Sequence, residues 1–111
     1  GSEMCIRDRF KKDNRYVTRG VNEEVDIRLQ LIIWSMIDKL NDEGNVELDY
    51  LQVFNLRKEG NKIVIKQSQE VPEYSCTSEI ELDDIQIDNE IKVYVIDSGE
   101  EFSTMAFPSE Y

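Results

Sequence analysis

Carboxylates are the side chains with which this sequence could do chemistry, and Glu79 and Glu81 are the first pair to weigh. Two carboxyl groups held close together split their pKa values and can act as an acid and a base. A two-residue strand rise sets this pair roughly 6–7 Å apart on one face of the pleat, opposite Ile80 and Leu82, where water solvates them. The pair therefore reads as a polar face. Asp83, Asp84, Asp88 and Glu90 offer oxygen ligands to a divalent cation, but their loop has neither the spacing nor the central glycine of a calcium hand, so no metal is expected. Histidine is absent from the chain, which removes imidazole bases, His-ligated zinc and the usual nucleophile–base pairs. Cys76, between Ser75 and Thr77, has no imidazole to raise its thiolate fraction and reads as a buried or incidental thiol. The 5 glycines stand apart, so no phosphate-cradling loop is present. No catalytic residue and no cofactor are expected, and the chain reads as a non-enzyme.

What the carboxylates can do together is electrostatic. From Gln67 to Tyr111, 12 acids stand against the single base Lys92, and the formal net charge of −11 arises in that segment. Glu79, Glu81, Asp83, Asp84, Asp88, Glu90, Asp97, Glu100 and Glu101 are the candidate partner-binding surface. A duplex carries about one charge per 1.7 Å of axis, whereas one strand row supplies about one per 6–7 Å, so imitation of DNA needs several adjacent rows and the loop acids besides. Such a surface would suit a basic nucleic-acid-binding protein. Direct binding of nucleic acid is disfavoured, because Lys11, Lys12, Arg15 and Arg19 form the only basic cluster, and these four could pair with the chain's own acids.

The elements that must carry these residues follow from periodicity. Arg15–Arg19 has the content of a short strand, and Gly20 is placed where a turn is wanted. Asp26 can cap a helix in which Leu29, Ile32, Ile33, Met36, Ile37 and Leu40 form one apolar stripe, stopped by Asn41–Gly44. Ile27, Leu31 and Trp34 fall on a second stripe, roughly opposite the first. That second stripe is the candidate oligomer interface of a homodimer. Folding of the first strand or of Phe107–Tyr111 over it within one chain is the competing expectation. Val46–Leu56 reads as a central strand, with Leu48, Tyr50, Phe54 and Leu56 on one side and Leu51 and Val53 on the other. Glu59-Gly60-Asn61 turns into a strand from Ile63 to Val71, which Pro72 ends. Further strands are expected at Thr77–Leu82, bending on through Ile85 and Ile87, at Ile91–Ile96 and at Phe102–Phe107. The fold class is α+β: an antiparallel sheet of five to six strands with one amphipathic helix packed on it, in the order β-α-β-β-β-β-β.

Length and composition set the frame. With 111 residues the chain suits one domain with one core. Gly1-Ser2 resembles a cloning scar, and Met4–Arg9 the translation of a transposase sequencing adapter. Residues 1–9 are therefore read as an adapter-derived disordered tail on a gene taken from a metagenomic fragment, and residues 10–111 as the domain. Cys5 carries no information on this reading. The two cysteines match neither a disulfide framework nor a metal spacing. No apolar run approaches the ~20 residues of a membrane span, and a cytoplasmic location without membrane contact is expected.

The stretches Asn14–Glu24, Trp34 with Met36–Asp38, Glu47–Phe54, Gln69–Tyr74, Val95–Glu100, Ser103–Met105 and the closing Glu110-Tyr111 resemble the domain of unknown function 960 family. The resemblance spans nearly everything from Phe10 onward. Its members begin Met-Phe just before the Asn-Arg-Tyr block, which places the adapter junction at Arg9. At Asp26 relatives often have proline, and either residue can start a helix. The family occurs in Gram-positive bacteria and their phages and mobile elements, and no catalytic residue carries over from it. The expectation is a non-enzymatic acidic interaction protein, encoded by a phage or mobile element, that inhibits a nucleic-acid-handling enzyme such as a CRISPR effector through a DNA-mimicking surface. The alternative is a homo-oligomeric protein that binds a small ligand, a signalling nucleotide.

Overall fold

A short strand β1 (Arg15–Val17) and a two-turn helix α1 (Arg19–Glu24) lead into the long helix α2 (Ile27–Glu43). Strands β2 (Leu51–Glu59), β3 (Lys62–Gln69), β4 (Tyr74–Glu81), β5 (Ile91–Asp97) and β6 (Ser103–Ala106) follow, and a 3₁₀ turn at Pro108–Glu110 closes the order. The computed structural model describes residues 9–99 and 102–111. Cys5, Glu100 and Glu101 lie outside the described residues.

Helix α2 forms where its caps and its stripe agree. The Asp26 carboxylate accepts the Arg28 amide at 2.8 Å, and Gly44, at φ +69°, gives its amide to the Leu40 carbonyl at 3.2 Å. Between the caps, Leu29, Ile33, Ile37 and Leu40 are buried against the sheet. The sheet answers with one face only. Phe54 and Leu56 from β2, Ile63 and Ile65 from β3, Val93 and Val95 from β5 and Met105 from β6 alternate into the same core, each fully buried. Burial at that level contributes roughly 1.5–3 kcal/mol per large side chain.

The six strands make one sheet in the order β1-β6-β5-β2-β3-β4. Gly60, at φ +65°, takes the first central position of the two-residue β2–β3 turn, where a type II′ geometry needs a glycine. β2 lies at the centre, between β3 and β5, with Leu51 and Val53 on the face away from the helix. The molecule measures 46 × 28 × 21 Å.

Four expectations need correction. Gly20 does not turn the chain; it lies in a second helix, α1, capped by the Thr18 hydroxyl on the Val21 amide and anchored by buried Val21. A glycine suits that position because a Cβ there would sit 2.6 Å from Glu110 Oε2. The sheet is not wholly antiparallel, since β1 runs parallel to β6, with Tyr16 opposite Thr104. The central strand begins at Leu51 rather than Val46, because side chains satisfy the preceding backbone: Gln69 donates to the Glu47 carbonyl at 3.0 Å and accepts the Asp49 amide at 3.1 Å. Residues 83–90 form a loop pinned by buried Ile85, not a bent continuation of the strand. The remaining elements start and stop within a few residues of expectation.

Candidate functional site

The acids of the β4–β5 loop meet acids from the helical half of the chain. Strand β4 ends at Glu81 beside the β2–β3 turn, where the Leu82 amide bonds to the Asn61 carbonyl at 3.1 Å. The chain then turns through Asp83 and Asp84. Lys58 holds this turn from beneath, donating to the carbonyls of Asp83 and Ile85. Asp84 reaches Arg28 at 3.1 Å, and the same guanidinium grips Asp26 at 2.9 Å and 3.0 Å. Arg28 thus ties the start of α2 to the loop. Its hydrogen bonds, first of all from its side chain, hold both Asp26 and Asp84 below the ordinary carboxylate range, while Asp26 and Asp84 in turn raise Arg28. Around this clamp stand Glu23, Glu24 and Gln86, lining a shallow depression of about 360 Å³ with Asp26 and Asp84. Asp88 and Glu90 are exposed on the same loop, and Glu59 on the neighbouring turn.

Glu79 and Glu81 project from the edge strand β4 on the face away from α2. Lys62 lies opposite Glu81 and within 3.6 Å of Glu79. Asp97 does not join this group. It ends β5, about 20 Å along the strand from Glu90, and is only 12% exposed, bonded to Arg9 at 3.2 Å. Arg9, the last residue of the stretch set aside in the sequence, also accepts a bond from Asn41 on its carbonyl, and Phe10 beside it is buried in the core. Of the basic cluster, Arg15 is turned inward onto Asp38 at 2.5 Å and lies over the Trp34 ring at 4.6 Å.

The second stripe of α2 is divided in the same way. Ile27 and Leu31 are exposed, at 58% and 61%, while Trp34 is buried under Arg15. The covering came from the segment around β1, one of the two routes weighed in the sequence.

A feature that the reading of the sequence missed lies between the second half of α2 and β4. A cleft of about 300 Å³ is walled by Met36, Lys39, Leu40 and Glu43 on the helix and by Gln67, Tyr74, Cys76, Thr77 and Ser78 on the sheet. Its floor belongs to a run of buried glutamines: Gln67 donates to Gln52 at 2.8 Å, and Gln52 donates to Gln69 at 2.7 Å. The Cys76 thiol donates to Gln67 Oε1 at 3.7 Å. Burial first, then the neighbouring Cys76, pushes the Tyr74 phenol up. Their signal was present as glutamines at alternate positions of apolar strands. Among the described residues, no three His, Cys, Asp or Glu side chains gather to hold a metal ion. No described helix is long and apolar enough to cross a membrane.

Comparison with known proteins agrees with this architecture. A family described as "Staphylococcal protein of unknown function (DUF960)" matches residues 14–110. The crystal structure of the protein of unknown function from Enterococcus faecalis is similar, with a TM-score of 0.75 and 29% identity over 94% of this chain and 96% of that one. No curated protein matches.

Proposed function

Because the chain belongs to the DUF960 family across residues 14–110, a family that brings a fold but no reaction, we propose that it acts without catalysis, as an acidic protein that occupies the basic groove of a nucleic-acid-handling enzyme. One observation carries the reading. Glu23, Glu24 and Asp26 come from the helical segment and Asp84 from the β4–β5 loop, yet they line one depression around the Arg28 clamp, and Asp83, Asp88 and Glu90 are exposed on that same loop. Carboxylates gathered in this way attract a basic surface and repel nucleic acid. The active surface on this reading is the end of the molecule rather than a row along a strand, and Asp97 has no part in it.

A signalling nucleotide suits the α2–β4 cleft less well. Lys39 is the one base among its lining residues, and Glu43 stands a single turn away, so an anionic ligand would meet weak attraction there.

The test is inhibition. Nuclease activity on duplex DNA is measured in a heparin-retained fraction of a Gram-positive lysate, with and without the protein. Wild type is expected to inhibit, less so at about 0.5 M salt, where screening shortens to roughly 4 Å. The variant carrying Asp83→Lys, Asp84→Lys, Asp88→Lys and Glu90→Lys is expected to lose the effect. Equal inhibition by that variant, or none by wild type, overturns the proposal.

A further inference from the structure

The sheet ends on one side in a three-residue strand, β1, and on the other in the eight-residue strand β4, whose outward edge pairs with nothing among the described residues. The register settles which backbone groups are free. Leu82 gives its amide to Asn61, and its alternate predecessors Ile80, Ser78, Cys76 and Tyr74 likewise face β3. Ser75, Thr77, Glu79 and Glu81 therefore direct their N–H and C=O groups outward. Edges of this length are usually blunted by proline, a bulge or charge. Here only charge is present, at Glu79 and Glu81, and the proline nearest the strand, Pro72, lies before it.

We propose that β4 is a docking edge for an extended peptide segment of a partner protein, one that bears basic residues at alternate positions. Two features on the page specify the occupant. A strand added to β4 places every second side chain on the outer face, opposite Ser75, Thr77, Glu79 and Glu81, where lysine or arginine meets the two carboxylates from the side opposite Lys62, so that they lie between bases of β3 and of the added strand. The intervening side chains point to the helix side, and of the two opposite Cys76 and Ser78 the first enters the 300 Å³ cleft, where Met36, Leu40 and the Tyr74 ring can surround an aliphatic group. Backbone bonds supply affinity and the cleft supplies selectivity. A second copy of the chain is a poorer occupant. Two β4 edges would bring their carboxylates into one ladder, and each chain carries a formal charge of −11. The same acids that deter self-pairing attract a basic strand. The docking edge ends at Glu81, two residues before Asp83 of the acidic end, and the inference does not rest on the role proposed for that end.

A phage-displayed library of random decapeptides panned on the wild-type protein tests the inference. Enriched peptides are expected to carry lysine or arginine at every second position around an aliphatic residue, and one of them, fluorescein-labelled, serves as the probe in anisotropy measurements. Thr77→Pro removes an outward amide and leaves the bonds to β3 in place. It is expected to weaken binding about tenfold or more with little change in melting temperature. Methylation of the alternate amide nitrogens of the probe that face β4 should abolish binding without altering the protein at all. Ser78→Pro, whose amide serves β3, should instead damage the fold. No enrichment, enriched peptides without the alternating basic pattern, or equal binding by Thr77→Pro and by the methylated probe would each overturn the proposal. So would a wild-type dimer that dissociates in Thr77→Pro, which would give the edge to a second copy.

Discussion

The guanidinium of Arg15 donates to the Lys11 carbonyl at 3.0 Å, to the Phe10 carbonyl at 2.7 Å and to both oxygens of Asp38, while its plane covers the Trp34 ring. Together these contacts tie β1 and the segment before it to α2. Replacement by alanine leaves a half-buried Asp38 uncompensated and opens Trp34 to water, so Arg15→Ala is expected to cost about 2 kcal/mol. Urea denaturation followed by Trp34 fluorescence checks this, with a red-shifted native spectrum as the accompanying sign. Lysine should rescue little, because a single ammonium cannot reproduce the fork. The sequence identified Arg15 as a charge in a basic cluster. Its partner stands 23 residues away on another element, and nothing in a one-dimensional string of charges says which acid an arginine will meet. For Trp34 the sequence left two outcomes open, because helical periodicity puts it on the second stripe without saying what covers it, and the chain folding back at β1 buries it.

At the level of elements, the strongest local signals were reliable because the forces that make them are local. Asp26 and Gly44 cap α2 where the capping chemistry places them, and the Gly60-Asn61 turn joins β2 to β3. The glutamines show where local reasoning stops. Gln52 shares the core-facing side of β2 with Phe54 and Leu56 and is fully buried. A polar residue there makes sense only after Gln67 and Gln69 arrive from β3 to bond it. Gln69 then secures the backbone of Glu47 and Asp49, which explains why β2 starts late. Gln52→Leu keeps the volume but strands the Gln67 amide and leaves the Asp49 carbonyl unpaired by this side chain, so a loss of about 2 kcal/mol is expected by chemical denaturation. A change below a few tenths would mean that the glutamines are bystanders.

For the whole molecule, the decisive matter is how the negative charge is distributed. The Arg28-centred acids belong to the loop that enters β5, and Asp97, paired to Arg9, ends that strand. A homodimer on the helix would have to rest on Ile27 and Leu31, a pair well short of the ≈ 800 Å² per partner of a stable interface. Leu31→Glu is accordingly expected to leave the mass measured by light scattering unchanged, at that of a monomer; a wild-type dimer that the substitution dissociates would restore the stripe as an interface. By itself the sequence determined the charge surplus, the absence of imidazole chemistry, the amphipathic helix and most of the strands, since each depends on residue type or on neighbours a few positions apart. Only the tertiary structure decided that β1 joins β6 in parallel, that Trp34 is covered, that Asp97 is parted from the acids of the β4–β5 loop and that β4 is left as an open edge among the described residues. Those outcomes come from contacts between residues far apart along the chain, and the free energy of such contacts is set by packing in three dimensions, to which periodicity and spacing are blind.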